Sequence, residues 1–205
     1  SVFVTFEGGE GAGKTTLIAG LSQLMRQAGY EPVLTREPGS TPLGEEIRRL
    51  LLHQEQKAVA PLAELALFLA SRAQHVVEVL KPALAANKLV FCDRFSDSSV
   101  AYQGGARQLG MHEVRLATNF FAQNLVPDLT FYLDIDPHVG LLRAKGKGTD
   151  RIEKEALVFH EKIRQAFFKI IEIEPQRFFL LDAMQPPAVV LQKAHTELLK
   201  RLQAC

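Results

Sequence analysis

Eight residues, Gly8-Gly9-Glu10-Gly11-Ala12-Gly13-Lys14-Thr15, constrain this chain more than any other stretch. They match the spacing G-x-x-x-x-G-K-[ST], directly after the strand-like run from Val2 to Glu7 and at the start of a helical pattern. Small residues let successive backbone N–H groups converge on a phosphate, and a helix N-terminus adds a favourable potential there. In such a loop Lys14 reaches the β and γ phosphates of a nucleoside triphosphate, and the Thr15 hydroxyl serves as a magnesium ligand. The strand before it and the helix after it set the motif apart from a glycine-rich turn that merely caps a helix.

The rest of the chain repeats that strand-then-helix order, which predicts an α/β fold with a five-stranded parallel sheet flanked by helices. Strands are expected at Val2 to Glu7, Pro32 to Arg36, Lys88 to Asp93, Leu129 to Asp134 and Arg177 to Asp182. Helices are expected at Lys14 to Ala28, Leu43 to Leu52, Pro61 to Ala86 (with a kink at Pro82), Met111 to Asn124, Pro137 to Ala144, Ile152 to Ile173 and Pro187 to Leu202. Ligands of open α/β sheets sit beyond the carboxyl ends of the strands, so Glu7, Arg36, Asp93, Asp134 and Asp182 mark the area to search.

With 205 residues, 47% of them apolar and 23% charged, the chain can bury a substantial core as one domain over residues 1–205. A formal charge of +1 argues against a nucleic-acid partner, so phosphate affinity must come from local clusters. Two dissimilar cysteines, Cys92 and Cys205, suggest neither a disulfide framework nor a zinc site, and no stretch reads as a signal peptide or a membrane span. The cytoplasm is the expected compartment. The loosest segment, Lys145-Gly146-Lys147-Gly148-Thr149-Asp150 between Arg143 and Arg151, reads as a basic, hinged loop.

A regulatory GTPase would carry a guanine-reading N-K-x-D loop after a strand, whereas the Asn87-Lys88 pair precedes one. A small-molecule kinase remains, and separated motifs narrow it. These are the loop from Glu7 to Thr16, Thr35-Arg36-Glu37-Pro38-Gly39, Phe68 with Arg72, Asp93-Arg94-Phe95 with Ser98-Ser99, Tyr102-Gln103, and Asp150-Arg151-Ile152-Glu153. In these motifs the chain resembles the bacterial thymidylate kinases from end to end. The resemblance implies transfer of the ATP γ-phosphoryl group to dTMP with Mg2+, a P-loop three-layer fold with a small basic lid at residues 143–153, and a homodimer.

By that resemblance Phe68 stacks on thymine, and Arg72, four residues on along the same helix face, donates to a base carbonyl. In isolation Phe68 reads as core, whereas Arg72 on a mostly apolar helix needs a planar acceptor or carboxylate partner, with a structural ion pair as the alternative. The resemblance places Arg94 on the acceptor phosphate with Arg36 nearby, and Ser98, Ser99, Tyr102 and Gln103 along the pyrimidine site. Glu10 is implied to contact the 3′-hydroxyl of dTMP and to help organise the magnesium site, and Arg143 to lie near adenine, with packing against the lid an equal alternative. Gly8, Gly9, Glu10, Gly11, Ala12, Gly13, Lys14, Thr15 and Thr16 are implied to hold ATP, with Thr15 and Asp93 as the metal ligands. The acceptor oxygen of a monophosphate is already anionic near neutral pH, so cations rather than a general base are sought. Lys14, Arg94 and Arg151 supply them. Lys145 and Lys147 stand where arginines are common in the family, and Ser40 where a second glycine often follows Gly39. The rival readings are a kinase for another small acceptor and a nucleotide sensor without turnover.

Overall fold

A computed structural model describes residues 1–52, 59–145 and 151–204, except for the side chains of residues 145 and 151–155. Five strands form one parallel sheet: β1 (Val2–Gly8), β2 (Val33–Arg36), β3 (Leu89–Asp93), β4 (Leu129–Asp134) and β5 (Phe178–Asp182). Their spatial order is β2-β3-β1-β4-β5, with Phe6 opposite Asp93 on one side of β1 and opposite Phe131 on the other. Strands buried on both faces read as unbroken apolar runs, and β1 is buried throughout, whereas the edge strands β2 and β5 are partly exposed. The connection leaving β1 runs to β2, and the one leaving β3 runs to β4 on the far side of β1. The chain therefore diverges above the carboxyl ends of β1 and β3, and a crevice opens there.

Strand alternation sorts side chains to two faces. Val2, Val4, Phe6, Leu89, Phe91, Leu129, Phe131 and Leu133 pack against α1 (Lys14–Gln27) and α9 (Pro187–Gln203) through Leu17, Leu21, Met25, Val190, Ala194 and Leu198. The opposite face carries α2 (Pro42–Leu52), α3 (Pro61–His75) and α6 (Met111–Phe121), and Tyr132 meets Phe167 of α8 (Arg151–Ile173) in a stacked pair at 4.8 Å. That second face also buries Glu7, Arg72, His75, Asp97, Thr130 and Arg177. α7 (Pro137–Lys145) follows β4. Among the described residues, no helix is long and apolar enough to cross a membrane.

Two departures from the expected elements have local causes. The expected helix Pro61 to Ala86 runs as α3, a wider π-helical segment (Val76–Leu80) and α4 (Lys81–Ala85). Proline lacks an N–H and its ring crowds the carbonyl four residues back, and here the wide turn immediately precedes Pro82. The second departure is helical structure where none was expected, α5 (Ser96–Ser99) continuing into a π segment (Val100–Ala106). Gly104 and Gly105 read as a helix breaker, but they serve close packing. A Cβ on Gly105 would lie 2.7 Å from Cβ of Ala166 in α8, and one on Gly104 would lie 3.0 Å from Cα of Met111 in α6.

Candidate active site

The phosphate loop joins β1 to α1. Gly11 and Gly13 take φ of 71° and 90°, in the left-handed region that disfavours side chains. Gly13 caps α1 without any side-chain hydrogen bond, so the cap position offers the first-turn amides of α1 no side-chain acceptor. Backbone fit is tight at a second point. A Cβ on Gly11 would lie 2.1 Å from the carbonyl oxygen of Gly140 in α7, and one on Gly140 would lie 2.3 Å from that of Glu10.

Lys14 is half-buried behind the loop. Burial, reinforced by Arg94, lowers its pKa to about 8, against the opposing pull of Asp93, Glu7 and Glu10. Gly11, Ala12, Gly13 and Thr16 line a cavity of about 470 Å³, which Arg143, Ala183, Gln185 and Pro187 help to close. Arg143 Nη1 donates to the Ala183 carbonyl at 3.2 Å.

On the other side of the loop lies a second cleft of about 270 Å³, lined by Glu10, Phe68, Arg94, Ser98, Ser99, Tyr102 and Gln103. Each of these seven was expected at the acceptor site from the sequence. Phe68 is half-buried in the cleft wall, while its helix neighbours Leu65 and Leu69 turn into the core. Gln103 donates from Nε2 to Glu64 Oε1 at 2.9 Å.

Arg94 is the best braced of the cleft's cations. Its φ of 68° is a left-handed conformation that costs a non-glycine residue roughly 1–2 kcal/mol. Its N–H donates to the Phe6 carbonyl at 3.0 Å, its Nη1 donates to Ser98 Oγ at 3.2 Å, and its guanidinium lies 5.2 Å from the Tyr102 ring centre. Ser98 Oγ in turn donates to Glu7 Oε2, and Glu7 Oε1 accepts from the Phe95 N–H at 2.8 Å. Burial, with Asp97 nearby, raises the pKa of Glu7 to about 7, although Arg94 and the two hydrogen bonds oppose the shift.

Two expected residues lie outside the cleft wall. Arg36 is half-exposed, its Nη2 3.1 Å from Glu45 Oε2. Arg72 is 1% exposed; it donates to Glu37 Oε2 at 2.8 Å, Ser99 Oγ at 2.9 Å, Thr118 Oγ1 at 2.7 Å and the Phe95 carbonyl at 3.2 Å. Among the described residues four of the five guanidinium N–H donors are thereby used, leaving one on Nη2. Glu37 also receives His75 Nδ1 at 2.9 Å. The ion pair that the sequence allowed for Arg72 thus exists, with its partner on the loop after β2.

Of the five strand ends, Glu7, Arg36 and Asp93 border the crevice. Asp134 is held bidentately by Arg164 at 2.8 and 3.0 Å, and Asp182 caps its own turn by accepting from the Met184 N–H at 2.9 Å. Asp93 Oδ1 is buried and has no hydrogen-bond partner among the described residues. Together with the exposed Thr15, this carboxylate fits a magnesium ion held partly by substrate phosphates. Among the described residues no cluster of three or more His, Cys, Asp or Glu forms an all-protein metal cage. Lys147 lies outside the described residues, as do the side chains of Lys145 and Arg151.

Four residues lining the cleft escaped the sequence reading: Leu51, Leu52, Glu64 and the cationic Arg48. Arg48 lines the cleft and donates from Nη1 to the Pro38 carbonyl at 3.0 Å. In Glu45-Glu46-Ile47-Arg48-Arg49 it reads as ordinary helix-surface charge; the usable signal was its position about two turns into the helix that follows the Arg36 loop.

A glycine phosphate loop at the switch point of a parallel sheet, with a second cleft carrying Arg48 and Arg94 on its far side, defines a P-loop phosphotransferase that brings a second, phosphorylated ligand to the triphosphate. Comparison with known proteins gives the family. The sequence model of the thymidylate kinases matches residues 6–194, and the chain belongs to that family. It is 46% identical to the thymidylate kinase of Protochlamydia amoebophila (strain UWE25) over 201 residues, covering 94% of this chain and 89% of the relative. It is 45% identical to that of Pseudomonas entomophila (strain L48) over 205 residues, covering 100% and 98%. The crystal structure of thymidylate kinase from Ehrlichia chaffeensis superposes with a TM-score of 0.75 at 32% identity, covering 98% of both chains.

Proposed function

We infer that this chain transfers the γ-phosphoryl group of ATP to dTMP, giving dTDP and ADP. The observation that carries the reading is the place of Glu10: a member of the triphosphate loop, it also lines the acceptor cleft. Donor and acceptor pockets therefore meet at one loop, as in-line transfer between two nucleotides requires.

The acceptor oxygen needs no general base, so the work of the site is to hold two polyanions together and neutralise the transferring group. Loop amides and Lys14 bind the donor phosphates; Arg94 and Arg48 face the acceptor phosphate, with Arg36 at the rim. Phe68 offers its ring to thymine, and the remaining Nη2 proton of Arg72 serves a base carbonyl from beneath. Glu10 takes the 3′-hydroxyl, Ser99, Tyr102 and Gln103 line the pyrimidine, and Arg143 borders adenine. Asp93 and Thr15 would hold Mg2+, which when bound offsets charge on the donor phosphates.

In the same reading residues 143–153 form the basic lid of a single domain spanning 1–205, Arg151 acts as its catalytic cation, and Lys145 and Lys147 act as point charges. Exposed Leu62 and Val77, with Leu116 and the 79% exposed Phe120 of neighbouring α6, supply an apolar face for a homodimer. The compartment is the cytoplasm. Incubation with γ-labelled ATP, magnesium and dTMP tests the reaction: label should move into dTDP. Label that stays in ATP or appears only as inorganic phosphate contradicts it.

A further inference from the structure

Glu7 has no place in the mechanism above, yet it is a fully buried carboxylate at the carboxyl end of β1. A buried acid must be matched by partners, and among the described residues the hydrogen-bond partners of Glu7 belong to the segment that follows β3. Phe95 N–H donates to Oε1 at 2.8 Å, Ser98 Oγ donates to Oε2, and Arg94 Nη1 stands 4.0 Å from Oε2. Because the Ser98 hydroxyl proton is given to Glu7, its lone pairs face Arg94 Nη1 at 3.2 Å. Two other acids lie nearby: Asp97 is held by Arg177 at 2.7 and 3.0 Å and by Arg115 at 2.6 Å, and Asp93, whose charge also attracts Arg94, makes no hydrogen bond to it among the described residues.

We propose that Glu7 is a positioning residue for Arg94, acting through Ser98, and that it sets the affinity for the acceptor monophosphate without touching that ligand. This rests on the reading of Arg94 as an acceptor-phosphate contact. It reassigns Ser98 from a pyrimidine contact to the link between carboxylate and guanidinium. Glu7 also holds a left-handed turn in place, since the Phe95 amide it accepts directly follows Arg94. In Glu7→Gln the side-chain oxygen still accepts from Phe95, but the amide presents a donor to Ser98 and the negative charge near Arg94 is gone.

Steady-state kinetics on the full chain decide the matter, with Glu7→Gln, Ser98→Ala, Arg94→Ala and the double variant Glu7→Gln/Arg94→Ala. Glu7→Gln should raise the KM for dTMP about tenfold and leave that for ATP within about twofold. In the Arg94→Ala background the same change should add less than about twofold, because the group it positions is gone. A parallel rise of both KM values, or an effect that multiplies undiminished with Arg94→Ala, overturns the proposal. A lowered Tm with unchanged kinetics overturns it too, since that is the mark of a merely structural residue. Should Glu7→Gln not fold, Ser98→Ala carries the same expectation of a selective dTMP effect that is lost without Arg94. If Arg94→Ala leaves the dTMP KM unchanged, the assignment of Arg94 fails and the inference falls with it; if Arg94→Ala raises it and Glu7→Gln does not, the inference alone fails.

Discussion

The two halves of the proposed site, donor and acceptor, are built from different materials. The donor side is backbone: glycines in left-handed conformations, uncapped helix amides and one half-buried lysine. The acceptor side is side chain, and its charged groups are tied to other parts of the protein. Arg94 leans on Ser98, Glu7 and Tyr102, while Arg72 is locked to Glu37, Ser99 and Thr118. A phosphate can be bound by amides that any small residue supplies. Selecting one base among several requires side chains held in fixed positions, and these need braces. Donor binding should therefore be robust to most side-chain changes, and acceptor binding sensitive to them.

The largest expected effect is the exception on the donor side. Lys14→Met removes the loop's own cation, and kcat should fall by about three orders of magnitude with little change in Tm. Turnover within about tenfold of normal would show that the loop amides suffice. Next comes the acceptor wall, where Phe68→Ala should raise the KM for dTMP by about tenfold or more and spare that for ATP. A pure stability loss without a dTMP effect would return Phe68 to the core.

A third test concerns the cost of the braces. The pKa of Glu7 is raised to about 7 by burial, so the folded chain retains a proton that the unfolded chain releases near the ordinary carboxylate value of 4.5. The sign follows: the protein is favoured below about pH 4.5 and loses stability as pH rises towards 7, by up to about 3 kcal/mol from this group. Denaturant melts should show Glu7→Gln gaining on the wild-type chain as pH rises from about 5 to about 8, with the gap levelling above 7. A gap that stays constant with pH contradicts the raised pKa.

The smallest effect is expected at Ser40, whose φ of 66° explains why glycine suits that position. Ser40 compensates by accepting from the Arg36 N–H at 2.8 Å and donating to the Arg36 carbonyl at 3.0 Å. Ser40→Gly should therefore change stability by less than about 1 kcal/mol and the dTMP KM by less than about twofold. A larger kinetic change would show that this turn aims Arg36.

The same division governs what the sequence revealed. The backbone half was legible: the loop is one contiguous motif, and the expected strands end at the observed Arg36, Asp93, Asp134 and Asp182. The acceptor residues were named through family motifs, but their bracing was not foreseen. Arg72 and Thr118 are 46 positions apart, and Glu7 and Ser98 are 91 apart, so no local periodicity joins them. Arg48 stayed hidden because a charged residue on an amphipathic helix carries no sign of which cleft it faces. The helix from Ser96 to Ala106 was missed because serines and a Gly-Gly pair score as turn, and only the approach of α6 and α8 gives those glycines a helical purpose.

The most direct measurement of the central claim is kcat/KM for dTMP, dUMP, dGMP, AMP and CMP with saturating ATP and magnesium. A braced side-chain cleft with Phe68 in its wall predicts that dTMP is preferred over every other acceptor, with a blank rate near zero when none is added. Preference for another monophosphate, or ATP turnover indifferent to the acceptor, would contradict it.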